Sequence, residues 1–204
     1  MKYQIEIINE LKTKPSFTKK VFIDVSSKYN LKISTINSYI VRSFAQNKII
    51  KLKRGVYVTE EFYSKHSLDI SYKYYLANIL RKPSYISSWT ALEYYNLATE
   101  SIHSVISITT KITREYKTKT GTFSYHSITL KYFSDFVLVK KDFEFYIATP
   151  SKALFDLLYF KTNGFRNIKR EEIEKYLESL RVDMDEMEKV ERAKFFSMIK
   201  NIYE

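Results

Sequence analysis

One of the three glycines in the chain lies within residues 49–59, IIKLKRGVYVT, where apolar and basic residues alternate. Alternation of this kind predicts β-strand with one buried face. The apolar residues of that face are Ile50, Leu52, Val56 and Val58. A glycine inside such a run predicts a tight reversal, because glycine adopts positive φ at little cost. We therefore predict a β-hairpin with a type I turn and Gly55 in the left-handed region. Its projecting cations are Lys51, Lys53 and Arg54.

Two stretches with helical spacing begin the chain. The first, residues 3–12, is predicted to bury one stripe and to end before Pro15. That stripe consists of Tyr3, Ile7, Ile8 and Leu11. The second is a short helix with Thr18 as its N-cap and Asn30 in a left-handed conformation at its end. Its predicted inner residues are Val21, Phe22 and Val25.

A third helix is predicted within residues 32–48, KISTINSYIVRSFAQNK, with Ser34 or Thr35 as its cap. Apolar residues recur every four positions, which defines a buried stripe of Ile36, Ile40 and Phe44. The opposite side carries three small polar residues and one arginine. These outward residues are Ser34, Thr35, Ser38 and Arg42.

The order helix, helix, polar-faced helix and basic hairpin is that of a winged helix-turn-helix domain. In such a domain the third helix enters the major groove of DNA and the hairpin, or wing, contacts a neighbouring backbone. We expect phosphate contacts from Lys51, Lys53 and Arg54, and base contacts from the outward residues of the third helix. The alternative is a purely structural helical subdomain, in which Arg42 packs as a surface cation on Tyr39.

The charge distribution favours the first interpretation. The chain carries a formal net charge of +11. Residues 1–58 contain twelve lysine and arginine residues against three acidic residues, a net charge of +9, whereas the remaining 146 residues carry only +2. A positive charge concentrated in one part of a chain indicates a polyanionic partner, with nucleic acid ahead of an anionic membrane.

The rest of the chain predicts a second domain. We divide the chain into a winged-helix domain, residues 1–62, and an α+β domain, residues 63–204. Residues 60–67, which include this boundary, are predicted to form a connector. Two helices broken at Pro83 are followed from residue 102 by alternating strands, including a hairpin around Lys140-Lys141-Asp142. A helix begins at Thr149 and Pro150, with Lys152 and Asp156 pairing on its surface, and two amphipathic helices follow. The predicted fold class is α+β: an N-terminal winged helix-turn-helix, then a mixed α/β C-terminal domain with an antiparallel sheet and flanking helices.

Three blocks resemble the AbiEi-type antitoxin family: KIIKLKRGVYV, PSYISSWTALEYYNL and FYIATPSKALFDLLYF. They occur in the order and spacing of that family and span most of the chain up to Phe160. The resemblance implies the antitoxin of a type IV, AbiE-type abortive-infection toxin–antitoxin system for phage defence. Such proteins repress their own promoter at inverted repeats through an N-terminal winged helix. They also oppose a nucleotidyltransferase-like toxin without necessarily forming a stable complex with it.

Other functions find less support in the residues. The chain has no cysteine, no glycine-rich phosphate loop, no glycine-flanked nucleophilic serine and no metal-ligand pattern, and His66, His103 and His126 are scattered. We expect no enzyme, no cofactor, no metal and no membrane partner, and a cytoplasmic location, since the chain has no signal-peptide pattern or long apolar run. Two alternatives remain: a transcription regulator with a ligand-sensing or dimerising C-terminal domain and no toxin, and a nuclease or nucleotidyltransferase. Residues 111–119, with four cations, are either a second nucleic-acid surface or a polar loop.

Overall fold

The computed structural model describes residues 2–98 and 104–204 and shows the mixed α+β fold class that the sequence predicts. Contacts divide the chain into two compact units. The first comprises Met1–Lys73 and Tyr116–Gly121, and the second comprises Tyr74–Glu115 and Thr122–Glu204. This division falls later than the predicted boundary at residue 62. A contact-based unit need not coincide with a domain that folds alone, so the domain boundary stays a prediction.

The first unit begins with helix α1 (Lys2–Leu11), the short strand β1 (Phe17–Thr18), helix α2 (Lys19–Ser26) and helix α3 (Ile33–Ala45). The hairpin β2 (Ile49–Lys53) and β3 (Val56–Thr59) follows, and β1 pairs with β3 to give a three-stranded antiparallel sheet in the order β1-β3-β2. The element order predicted for residues 1–59 is therefore present. Helix α4 (Glu60–His66) occupies the stretch of the predicted connector.

Local sequence explains where these elements begin and end. The Thr18 hydroxyl oxygen accepts from the Val21 amide at 3.3 Å, which confirms the predicted N-cap of α2. Asn30 adopts φ +51°, the predicted left-handed conformation. Helix α4 begins because the Thr59 hydroxyl oxygen accepts from the Phe62 amide at 3.2 Å, and two glutamates favour its first turn.

The first unit has an apolar core formed by α1, α2, α3 and the sheet. Its buried members are Ile7, Ile8, Leu11, Phe17, Phe22, Ile36, Tyr39, Ile40 and Ile49. Two predicted core residues lie elsewhere: Tyr3 is exposed and its ring contacts Tyr29, and Phe44 is 48% exposed. The polar residues Gln4 and Ser43 take buried positions because the Gln4 amide donates to the Ser43 hydroxyl at 2.9 Å. The spacing of apolar residues in the sequence does not predict a buried polar pair of this kind.

The second unit begins within helix α5 (Ile70–Leu80). Strand β4 (Tyr85–Ile86) and helix α6 (Ser88–Tyr94) come next, followed by strands β5 (Ser104–Thr109), β6 (Arg114–Thr118) and β7 (Gly121–Ser127). Strands β8 (Phe136–Val139) and β9 (Phe145–Ala148) complete a larger sheet in the order β6-β7-β5-β4-β9-β8. Residues Tyr116–Gly121, which include part of β6, group with the first unit.

This larger sheet contains both parallel and antiparallel strand pairs, so the prediction of an antiparallel sheet for the second domain is wrong. Strand β7 is parallel to β5, and β9 is parallel to β4. After β5 the chain first forms the edge strand β6 and then turns back to form β7 between β6 and β5. Strand β7 therefore runs in the same direction as β5. The pairing of β4 with β9 joins residues far apart in sequence. The predicted hairpin of β8 and β9 is confirmed, since these strands pair antiparallel.

Helix α7 (Pro150–Lys161) is a buried helix of the second unit, with every residue from Ser151 to Leu158 buried. The Thr149 hydroxyl oxygen accepts from the Lys152 amide, which confirms the predicted cap, and Pro150 occupies the first turn. Helices α8 (Ile173–Ser179) and α9 (Lys189–Tyr203) end the chain. Phe195 and Ile199 of α9 are buried, whereas Val190 is 70% exposed. Among the helices of the described residues, none has the length and apolar character that a bilayer crossing requires.

Candidate nucleic-acid interface

Helix α3 presents a polar face to solvent because its other side is fixed in the core. Ile36, Tyr39, Ile40 and Ser43 form the buried side. Of the predicted outward residues, Ser34, Ser38 and Arg42 are exposed, and Thr35 is half-buried. The Ser38 hydroxyl donates to the Ser34 carbonyl at 3.0 Å. The predicted cap is wrong, since the helix already begins at Ile33 and Lys32 precedes it without a side-chain hydrogen bond.

The outward face of α3 contains two further residues that sequence reasoning missed. At 100° per residue, Val41 lies next to Ser34 on the side of the helix opposite the core, and its side chain is 67% exposed. Asn37 lies at one border of this face and is half-buried. The signal was available in the sequence, because both positions fall away from the stripe of Ile36 and Ile40. A carboxamide pairs well with adenine and an apolar side chain with the thymine methyl group.

The hairpin forms around Gly55 as predicted. Arg54 and Gly55 form the turn between β2 and β3, and Gly55 adopts φ +79°, in the left-handed region. The pairing shifts between Lys51 and Lys53, so a β-bulge precedes the turn. Lys51 and Arg54 are exposed and Lys53 is half-buried. Ile50, Leu52 and Val58 are buried, as predicted, while Val56 is half-buried.

Two more lysines lie beside the hairpin turn. The Lys19 amide donates to the Gly55 carbonyl at 3.1 Å, so the first turn of α2 adjoins the wing. Lys19 and Lys20 are both exposed. Their place at the wing was not predicted, because the pairing of β1 with β3 that brings them there is not visible in a local pattern.

Some lysines of the first unit are engaged in ion pairs. Lys12 contacts Glu61 at 2.5 Å, and Lys28 contacts Glu10. A side-chain hydrogen bond from Lys28 lowers the pKa of Glu10. Within the described residues, no ion pair engages Lys51 or Arg54 at the wing. The charges of these two residues are thus directed to solvent.

Within residues 111–119, Arg114–Thr118 form the strand β6, so the polar-loop interpretation is wrong for that part of the segment. The end of this segment belongs to the first unit, where the Lys119 ammonium group donates to the Asn47 side chain at 2.9 Å. With residues 116–121 included, the first unit contains sixteen lysine and arginine residues and six acidic residues. Its net charge is +10 of the +11 carried by the whole chain.

The second unit contains a buried polar cluster instead of the predicted surface ion pair. Lys152 and Asp156 are 2.7 Å apart and are almost fully buried. The Asp156 carboxylate also accepts from the Ser87 hydroxyl at 2.7 Å and from the Tyr85 hydroxyl at 3.0 Å. Burial raises the pKa of Asp156, and the three donors oppose that shift. The cluster was missed because spacing of four residues shows that two side chains meet, but not which side of the helix is covered.

This cluster resembles a structural core more than a reactive site. The Ser87 hydroxyl donates to a carboxylate, and the Lys152 ammonium group also donates to the Tyr132 carbonyl at 2.6 Å. Within the described residues, no group of three or more histidine or acidic side chains is placed to bind a metal ion. His66 stacks on Phe62, and burial lowers the pKa of His126, which packs on Phe160. His103 lies outside the described residues.

No protein-family model matches the chain, and no curated protein matches it at a significant level. The AbiEi-type resemblance accordingly remains a prediction from the three sequence blocks. The exposed face of α3, the basic wing and the concentrated charge are the observations on which a function can be based.

Proposed function

We propose that the first unit binds double-stranded DNA as a winged helix-turn-helix, with α3 in the major groove and the wing on the phosphate backbone. The observation that carries this proposal is the concentration of +10 of the chain's +11 charges in the first unit, on elements with exposed basic side chains. Ser34, Ser38 and Arg42 would meet base edges, with Thr35 at their border. Lys51, Lys53 and Arg54 would meet phosphates.

The biological role that we propose follows the three sequence blocks. The chain acts as the autorepressor and antitoxin of an abortive-infection toxin–antitoxin system. It represses its own promoter at inverted repeats and opposes a nucleotidyltransferase-like toxin. On this proposal the chain is not an enzyme, and the second unit acts against the toxin without requiring a stable complex.

The DNA-binding part is tested with the full chain and the DNA upstream of its own gene. Fluorescence anisotropy is measured for the wild type and for Lys53→Glu/Arg54→Glu. The matched control is Arg166→Glu/Lys175→Glu, which changes two exposed cations of the second unit by the same charge. We expect the wing variant to lose affinity by about a hundredfold or more, since several phosphate contacts become repulsive. Equal affinities of the two variants would remove the wing from the mechanism.

The antitoxin part is tested by coexpression with the product of a neighbouring nucleotidyltransferase-like gene, which this proposal expects beside the gene of this chain. We expect the chain to restore growth of cells that express this toxin. The Lys53→Glu/Arg54→Glu variant should also restore growth when expressed from an independent promoter, because the proposal places the antitoxin action in the second unit. Failure of the wild type to restore growth would contradict the antitoxin role and leave DNA binding intact.

A specific cavity favours the second candidate, a transcription regulator whose second unit senses a ligand. A groove of about 780 Å³ in the second unit is bordered by aromatic residues including Tyr75, Phe133, Phe136 and Tyr146. Asn78 and Ser84 also line it, and within the described residues the Asn78 side-chain nitrogen and the Ser84 hydroxyl oxygen are buried without a hydrogen-bond partner. A small planar molecule that stabilises the chain in thermal melting and changes its DNA affinity would favour this candidate over the antitoxin.

A further inference from the structure

Strand β8 forms one edge of the larger sheet. Among the strands of the described residues its only partner is β9, with which it pairs continuously from Phe136 opposite Ala148 to Val139 opposite Phe145. The pairing has no register shift. Within the part of the chain that the structure describes, the outer side of β8 therefore presents backbone donors and acceptors that no neighbouring strand satisfies.

The sequence of β8 lacks the features that usually protect an edge strand. Edge strands commonly carry charged residues, proline or a bulge, each of which prevents another strand from pairing. Strand β8 reads Phe-Val-Leu-Val, and Val137 and Leu138 are 45% and 38% exposed. The opposite edge of the same sheet, β6, carries the three charged residues Arg114, Glu115 and Lys117. One edge is protected by charge and the other is apolar.

The charges that flank β8 suit pairing with a second copy of itself. Asp135 precedes the strand and Lys140 and Lys141 follow it, and Asp135 and Lys140 are exposed. In an antiparallel pair, the aspartate end of each strand lies beside the lysine end of the other. In a parallel pair, aspartate would lie beside aspartate and lysine beside lysine. The flanking charges therefore favour antiparallel self-pairing.

The charge of the surroundings also permits two copies to approach here. The whole chain carries +11, which opposes self-association in general. Residues 134–146 contain two lysines and three acidic residues, so this hairpin is nearly neutral. An apolar surface adjoins the strand on one face of the sheet, because Leu138 lies opposite Tyr146 and both line the aromatic groove. Tyr146 is 44% exposed and adds apolar area to a contact at β8.

We propose that β8 pairs antiparallel with β8 of a second copy of this chain, about a two-fold axis perpendicular to the sheet. We place Leu138 of one copy opposite Leu138 of the other, which brings the Asp135 end of each strand toward the end that carries Lys140 and Lys141 in its partner. The sheet then continues across a homodimer. A four-residue strand pair is a small interface, so the dimer is reversible and depends on concentration. This inference does not depend on DNA binding.

The first experiment measures mass by sedimentation equilibrium of the full chain, at concentrations up to about 1 mM, the weak end of specific association. The test variant is Leu138→Lys, and the control is Val190→Lys, whose side chain is 70% exposed on α9. We expect the wild type and the control to dimerise and Leu138→Lys to stay monomeric, with unchanged circular dichroism because the replaced side chain is at an exposed edge. A monomeric wild type, or a Leu138→Lys variant that dimerises like the wild type, overturns the proposal.

The second experiment uses the absence of cysteine from the chain. A Leu138→Cys variant carries a single thiol, which faces its own copy across the proposed two-fold axis. We expect mild oxidation to give a disulfide-linked dimer much faster than for the control Val190→Cys. Equal rates of cross-linking for the two variants would contradict pairing at β8.

A charge variant distinguishes the direction of pairing. Asp135 adopts φ +56°, which asparagine also tolerates, so Asp135→Asn removes the charge without changing the backbone preference. In the antiparallel dimer this variant loses an attraction to lysine, and we expect the dissociation constant to rise severalfold. A lower dissociation constant would indicate relief of repulsion between two aspartates and would overturn the antiparallel arrangement.

Discussion

At the residue scale, the position of Gly55 determines whether a wing forms. Its φ of +79° places it in a region that other L-residues enter at a cost, while a Cβ added there would meet no atom within 4 Å. Glycine is therefore required here by the backbone conformation and not by a lack of space. This position was predictable from sequence, because a rare glycine inside an alternating run most often marks a tight turn.

We predict that Gly55→Ala lowers the free energy of unfolding by about 1 kcal/mol, the usual cost of a left-handed non-glycine residue. Gly55→Asn should cost less, because asparagine adopts this conformation more readily. Urea denaturation of both variants measures the difference. A smaller loss for alanine than for asparagine would show that the turn has another conformation in solution.

Asp156 illustrates what residue spacing does not reveal. The sequence correctly predicts that Lys152 and Asp156 meet, but their burial depends on how α6, β4 and the turn at Tyr132 cover α7, which is a property of the tertiary fold. We predict that Asp156→Ala lowers the free energy of unfolding by about 3–5 kcal/mol, because it leaves the Lys152 charge buried without its carboxylate.

The double variant Lys152→Met/Asp156→Leu is the control for this prediction. Replacing both charges with apolar residues of similar size should recover much of the lost stability. Urea denaturation compares the two variants. A double variant that is less stable than Asp156→Ala would show that an unpaired buried charge is not the cause of the loss.

At the element scale, one carboxylate of α9 caps the beginning of α7, and the two helices also pack against each other. The Ser151 amide and hydroxyl both donate to Glu191, at 3.0 and 2.7 Å. Burial raises the pKa of Glu191, but the Ser151 hydrogen bonds and Lys194 outweigh it, and the net pKa is lowered from the usual value of 4.5. The ionised form is thus favoured in the folded state, and its stabilisation is present above about pH 4.5.

We predict that Glu191→Gln lowers the free energy of unfolding by about 1–2 kcal/mol at pH 7. The difference from the wild type should shrink as the pH falls below 4.5 through the lowered pKa, because the wild-type carboxyl group then becomes protonated. Chemical denaturation at several pH values measures the difference. The matched control is Glu188→Gln, an exposed residue just before α9. A difference that persists unchanged at low pH would show that the charge of Glu191 is not responsible.

Most elements with a strong local pattern were predictable, and the exceptions have physical causes. The caps at Thr18 and Thr149 and the hairpin of β8 and β9 follow from short-range rules. Strand β4 has only two residues, too few for a periodic pattern. The parallel pairs of the larger sheet join strands that are distant in sequence, and nothing local specifies such pairs.

At the scale of the whole molecule, the two units differ in net charge. The first carries +10 and the second only +1, although the second contains more residues. The predicted outward residues of α3 and the wing are all exposed or half-buried, so their accessibility was predictable from the sequence. The position of Lys19 and Lys20 beside the wing was not, because it requires the pairing of β1 with β3.

The salt dependence of DNA binding tests the central proposal most directly. The dissociation constant of the full chain for its promoter DNA is measured between about 50 and 200 mM salt, for the wild type, Lys53→Gln/Arg54→Gln and the control Arg166→Gln/Lys175→Gln. Log affinity falls linearly with log salt concentration, and each lost phosphate contact reduces the magnitude of that slope by about 0.9. We predict that the magnitude of the slope is smaller by nearly 2 for the wing variant and unchanged for the control. A wild-type affinity that does not depend on salt, or equal slopes for all three proteins, would contradict DNA binding through this wing.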